Sequence, residues 1–118
     1  VKLLVKREDV EAGTRDDEDR TPLSYAAEEG HETVVKLLLE RDDVEADTRD
    51  GLGQTPLFYA ARRGHEIVVK LLVERDDVEA DTKDNRDQTP LSYAAERGHE
   101  TVVKLLLKRD DVEADTRN

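Results

Sequence analysis

The heptapeptide TPLSYAA at residues 21–27 returns as TPLFYAA at 55–61 and as TPLSYAA at 89–95, each time 34 residues further along. The residues between these anchors recur in step. GHETVVKLLLERDDVEADTRD at 30–50 has a near copy at 64–84. Residues 21–54 share 25 positions with 55–88, and residues 21–50 share 27 with 89–118. A fixed period of this length constrains the chain more than any other feature, because one such unit cannot bury its own apolar face and must stack on its neighbours. The expected units are 21–54, 55–88 and 89–118, the last lacking the end of its connector. A half-unit at 1–20 precedes them, since VKLLVKR at 1–7 aligns with 35–41. The chain thus reads as a piece of a longer array or as a deliberately bounded one.

Each unit carries the signals of two short helices and an extended connector. Thr21 suits an N-cap with Pro22 at the first helical position, where a missing N–H costs nothing. Gly30 suits the C-terminal glycine. Leu23, Ala26 and Ala27 recur at helical spacing and form a buried stripe. The next helix, through Val34, Val35, Leu37, Leu38 and Leu39, is apolar around most of its circumference and needs cover on several sides. Arg41, Arg75 and Arg109 fall at the ends of these second helices, where a cation favours the dipole.

These motifs resemble the ankyrin repeat. The TPL–x–x–A opening, the Gly-His pair, the VVKLLL run and the Asp-ended hairpin recur in the family's order over essentially the whole chain. The resemblance implies an all-α solenoid of helix-turn-helix units joined by hairpin-like connectors. It also implies a non-enzymatic module that binds a protein partner with its concave first-helix face and hairpin tips. The family's His after TPL is here Ser24, Phe58 and Ser92, so its stabilising role is not carried over. The family's Gly after the second helix is replaced by Asp42-Asp43, a turn expected to hold some strain. The hairpin glycine survives as Gly53 and is Asp19 and Asp87 elsewhere.

Charged residues make up 42% of the chain and aromatics 3%, values that would point to disorder if the apolar residues were not set at helical positions. The formal charge of −11 argues against nucleic acid and anionic membranes as partners. No cysteine is present, and no apolar run approaches the length of a membrane span. The expected setting is intracellular and cytoplasmic.

No catalytic constellation or cofactor motif stands out. His31, His65 and His99 are the only histidines, one per Gly-His turn, and equivalent positions in stacked units lie too far apart to share an ion. Each imidazole is expected to bond within its own loop. The acidic runs lack calcium-loop spacing.

Helical geometry sets the candidate contact surface. Tyr25 lies about 200° round from Leu23, away from the core, with Glu28 and Glu29 on its face. The equivalents are Tyr59 with Arg62 and Arg63, and Tyr93 with Glu96 and Arg97. Differences between units concentrate there and at the tips, where Leu52 and Phe58 mark the middle unit as richest in contact residues. The same residues have a structural reading: Arg62 pairing with Glu28 and Glu96, a packing ladder of tyrosines, Phe58 filling a gap. A weak head-to-tail association is also expected, through Val1, Leu3, Leu4 and Val5 at one end and Leu91, Ala94, Leu105 and Leu106 at the other.

Overall fold

The computed structural model describes residues 14–109. Six helices run through them: α1 (Pro22–Glu29), α2 (Glu32–Leu39), α3 (Pro56–Arg63), α4 (Glu66–Val73), α5 (Pro90–Glu96) and α6 (Glu100–Leu107). No strand occurs among the described residues. The first helices start where a threonine and a proline coincide. Thr21 is extended and its hydroxyl accepts the Ser24 N–H at 3.2 Å. Thr89 and Ser92 go further and cap each other reciprocally. The helix pairs turn on Gly30, Gly64 and Gly98, all left-handed with φ near +74°. That conformation lets the Gly30 N–H reach back to the Ala26 and Ala27 carbonyls and lets α2 fold against α1 within two residues.

First helices pack on first helices, α1 on α3 on α5, and second on second, α2 on α4 on α6. Leu23, Leu57, Ala60, Ala61, Val68, Val69, Leu72, Val102 and Leu106 are fully buried between them. The connectors contribute as well: Val44, Ala46, Val78 and Ala80 are buried, which the acidic look of these segments concealed. Ala94 and Leu106, expected at an open end, are fully buried, and Leu91 and Leu105 are half-buried. They face back into their own helix pair and the unit before. Val1, Leu3, Leu4 and Val5, the other half of the expected end-to-end contact, lie outside the described residues.

Two local expectations are corrected and a third is extended. The Asp42-Asp43 turn holds no left-handed residue; α2 and α4 end in ordinary right-handed geometry at Glu40 and Glu74. The strain sits at the hairpin tips, where Asp19 (φ 63°) and Asp87 (φ 62°) adopt the conformation that Gly53 adopts at φ 78°. Two of the three histidines bond across units rather than within their loops. His65 Nε2 lies 2.8 Å from the Glu28 carbonyl, and His99 Nε2 2.9 Å from that of Arg62. Arg75 and Arg109 do more than meet a dipole. Arg75 donates to the Leu39 carbonyl at 3.2 Å, and Arg109 to those of Val73 at 2.6 Å and Val78 at 2.8 Å. Each satisfies the exposed end of the preceding second helix.

The tips are chained too, the Gly51 N–H donating to the Glu18 carbonyl at 2.9 Å and the Asn85 N–H to that of Leu52 at 3.0 Å. Asp87→Gly is expected to stabilise the array by about 0.5 kcal/mol, relief of a left-handed aspartate partly offset by glycine's unfolded-state entropy. Gly53→Asp should do the reverse and cost more, since a Cβ there would meet Asn85 Oδ1 at 2.5 Å. Denaturant midpoints of the two variants decide this; a lowered midpoint for Asp87→Gly contradicts it.

Candidate binding surface

The face carrying the tyrosines is built from one aspartate per connector. Asp16, Asp50 and Asp84 each accept the backbone N–H groups two and four residues on, closing the hairpin. For Asp84 these are Arg86 and Gln88, both at 2.9 Å. The second oxygen of each aspartate takes the tyrosine hydroxyl nine residues on: Tyr25 to Asp16, Tyr59 to Asp50, and Tyr93 to Asp84 at 2.6 Å. The rings are therefore pinned in a row, and a guanidinium fills each gap. Arg20 lies 3.9 Å from the centroid of Tyr25 and 4.1 Å from that of Tyr59. Arg62 lies 5.0 Å from that of Tyr59 and 5.3 Å from that of Tyr93. Such a cation held between two aromatic faces is worth roughly 0.5–2 kcal/mol.

The two gaps differ in one respect. In the first, Glu28 accepts Arg20 at 2.7 Å and Arg63 of the next unit at 3.2 Å. In the second, the place of Glu28 is taken by Arg62 and the place of Arg20 by Gln54, whose Oε1 meets Arg62 Nη1 only at 3.5 Å. Arg62 thus pairs with neither Glu28 nor Glu96, correcting that part of the structural reading; Arg63 is the partner of Glu28.

Two of the expected contact residues are buried. Phe58 is fully buried and Tyr59 is 4% exposed. Phe58 stands edge-on to Tyr93 with centroids 6.1 Å apart, and Arg20 and Arg62 cover Tyr59 from both sides. Helical phase alone had turned Tyr59 outward, but stacked neighbours on either side enclose it. Burial and the Asp50 bond push its hydroxyl well above the ordinary tyrosine range. Tyr25, Glu29, Leu52, Arg63, Glu96 and Arg97 are exposed; Glu28, Arg62 and Tyr93 are half-buried.

Five of the expected residues come together. Leu52, Arg62, Tyr93, Glu96 and Arg97 line a groove of about 390 Å³ with Gln54, Asp84, Asn85 and Arg86. Leu52, 57% exposed, is the most exposed large apolar side chain among the described residues. Its rim carries three cations, Arg62, Arg86 and Arg97, against two anions, Asp84 and Glu96, a local excess of one on a chain of net −11.

Burial resists ionisation of Asp84, but hydrogen bonds from Tyr93, Gln54, Gln88 and Arg86 outweigh it and hold the carboxyl down to about 2 from 3.8. A depressed carboxylate contributes stability that is present above its unfolded pKa and lost as pH falls through its folded one. The array is therefore expected to lose on the order of 2 kcal/mol from this group between about pH 4 and pH 2. Urea titrations of the native chain and Asp84→Asn check it; a stability gap that does not narrow over that interval contradicts it.

The sequence profile of the family described as Ankyrin repeats (3 copies) matches residues 1–50 and 43–118. The chain belongs to the ankyrin-repeat family. No curated protein sequence matches it. Ankyrin repeats are generally protein-interaction modules and typically not enzymes. Among the described residues, no helix of this ankyrin array is long and apolar enough to cross a membrane.

Reasoning from sequence missed the aspartates of the ladder, Arg20 and Gln54. A signal was there. Asp16, Asp50 and Asp84 each stand five residues before the anchor threonine and nine before its tyrosine. They were hidden among neighbouring acidic residues that face solvent.

Proposed function

We propose that this ankyrin array is a non-enzymatic, intracellular protein-binding module whose partner docks on the concave first-helix face and hairpin tips, centred on the groove between the second and third units. The observation that carries this reading is the convergence of Leu52, Arg62, Tyr93, Glu96 and Arg97 on one recess, with an exposed leucine at its rim and arginine and tyrosine within it. Exposed apolar anchors flanked by Arg and Tyr are what binding surfaces concentrate.

A spacer with no partner of its own is the second reading, and the boundary between the first two units favours it. There Arg20, Glu28 and Arg63 satisfy one another, and Tyr59 is closed off. The next boundary lacks this closure, which is why the binding reading is preferred there.

Two variants test it in parallel pull-downs from cell lysate, Leu52→Asp with Arg97→Glu in the groove and Ile67→Asp on the exposed side of α4. Capture lost with the groove pair and kept with Ile67→Asp supports the groove. The opposite pattern overturns it, and capture of nothing by the native chain supports the spacer.

A further inference from the structure

The first gap of the ladder shows what the second lacks. Between Tyr25 and Tyr59 the guanidinium of Arg20 is neutralised by the Glu28 carboxylate, which at the same time holds Arg63 from the next unit. Between Tyr59 and Tyr93 the guanidinium belongs to Arg62, and the equivalent of Arg63 is Arg97. No carboxylate bridges this second pair. Glu96, the residue before Arg97, also lines the groove but forms no ion pair with either arginine. Asp84 is already committed to Tyr93, Gln54 at 2.8 Å and two backbone N–H groups. Arg62, Arg86 and Arg97 make no ion pair among the described residues, yet all three line the groove beside Leu52.

We infer that the groove binds an acidic side chain of an extended partner segment, its carboxylate bridging Arg62 and Arg97 as Glu28 bridges Arg20 and Arg63, with an adjacent apolar side chain on Leu52. This rests on reading the groove as the partner-binding face and adds the chemistry of the partner. Three features define that chemistry. A guanidinium between aromatic rings keeps its in-plane donors free for a carboxylate while its faces are covered. The local excess of one positive charge is matched by one carboxylate. The surrounding net charge of −11 repels a polyanion such as nucleic acid, so a single acid set among neutral residues suits the site better than a dense run.

The test is selection from a random twelve-residue peptide library displayed on phage, with the whole chain as bait. Binders are expected to share one Asp or Glu next to Leu, Ile or Phe. Their affinity should fall about tenfold or more when that acid becomes its amide, the effect of one lost charge-assisted contact. Arg97→Gln should weaken them equally; Arg97 is exposed, so this change leaves the packing alone even if Arg62→Gln disturbs the ring stack. Leu52→Asp should abolish binding.

Binders that depend on Leu52 but carry no acid, or that tolerate Arg97→Gln and the amide, overturn the carboxylate bridge and leave the groove standing. Binders lost with Ile67→Asp and indifferent to Leu52→Asp overturn the groove itself. A chain that selects nothing, or that retains a single-stranded oligonucleotide in preference to the peptides, overturns both.

Discussion

Replacing Phe58 by alanine is expected to destabilise the array by about 3–5 kcal/mol, the cost of emptying a buried aromatic site. Phe58 is fully enclosed in the middle unit, against Tyr93 of the third, so its loss loosens the contact between units as well as the unit itself. Phe58→Ser should cost about 1 kcal/mol less than Phe58→Ala, although serine is the more polar residue. The reason lies at the helix cap. In the first unit the serine at this position is buried and satisfied: Ser24 N–H donates to Thr21 Oγ1, and Ser24 Oγ donates to the Thr21 carbonyl at 3.0 Å. In the second, the Phe58 N–H turns to the Thr55 carbonyl at 3.0 Å, and the buried Thr55 hydroxyl has no partner among the described residues. Either small residue leaves the backbone N–H free to turn to the Thr55 hydroxyl, but only serine can add the Oγ–H donation to the Thr55 carbonyl that Ser24 and Ser92 make to theirs. Urea denaturation of the two variants measures the difference. If Phe58→Ser is the less stable of the pair, the cap carries less than the added polarity costs.

Gly64→Ala is the second large effect, on the order of 2–3 kcal/mol, against about 1 kcal/mol for Gly98→Ala. Both glycines are left-handed, φ +75° and +74°, so both variants carry the same backbone cost. They differ in what the new methyl meets. At Gly64 it would stand 2.7 Å from His99 Nδ1 and 2.8 Å from its Cε1, while at Gly98 nothing lies within 4 Å. Room for the methyl requires the His99 ring to move, which breaks its bond to the Arg62 carbonyl. In a His99→Ala background the cost of Gly64→Ala should therefore drop to that of Gly98→Ala. The cycle isolates the term, since the two residues touch. Equal costs for the two glycines in the native background would show that the ring moves aside freely.

Much of the architecture was legible in the chain because its determinants are local and repeated. The period sets the unit. Thr-Pro and Gly place the helix ends through backbone rules that act within four residues, and the apolar spacing names the buried stripe. These signals agree with one another, and the family profile covers the chain. The groove was legible in part: Leu52, Arg62, Tyr93, Glu96 and Arg97 were chosen from variation between units and helical phase, both readable without coordinates.

What only the tertiary structure decided is the set of contacts made one period apart. Helical phase says which way a side chain leaves its own helix, but not whether a neighbouring unit covers it. Tyr25 and Tyr59 have the same phase, yet one is 41% exposed and the other 4%. The same holds for His65 and Arg75, whose partners are carbonyls of the preceding unit. It holds also for Asp84, an acid whose environment differs from that of its acidic neighbours although its composition does not. A repeat specifies its own helices through local chemistry. The stacking of repeats then sets burial, charge pairing and the open groove, because each depends on distances between residues that the chain keeps some 34 positions apart.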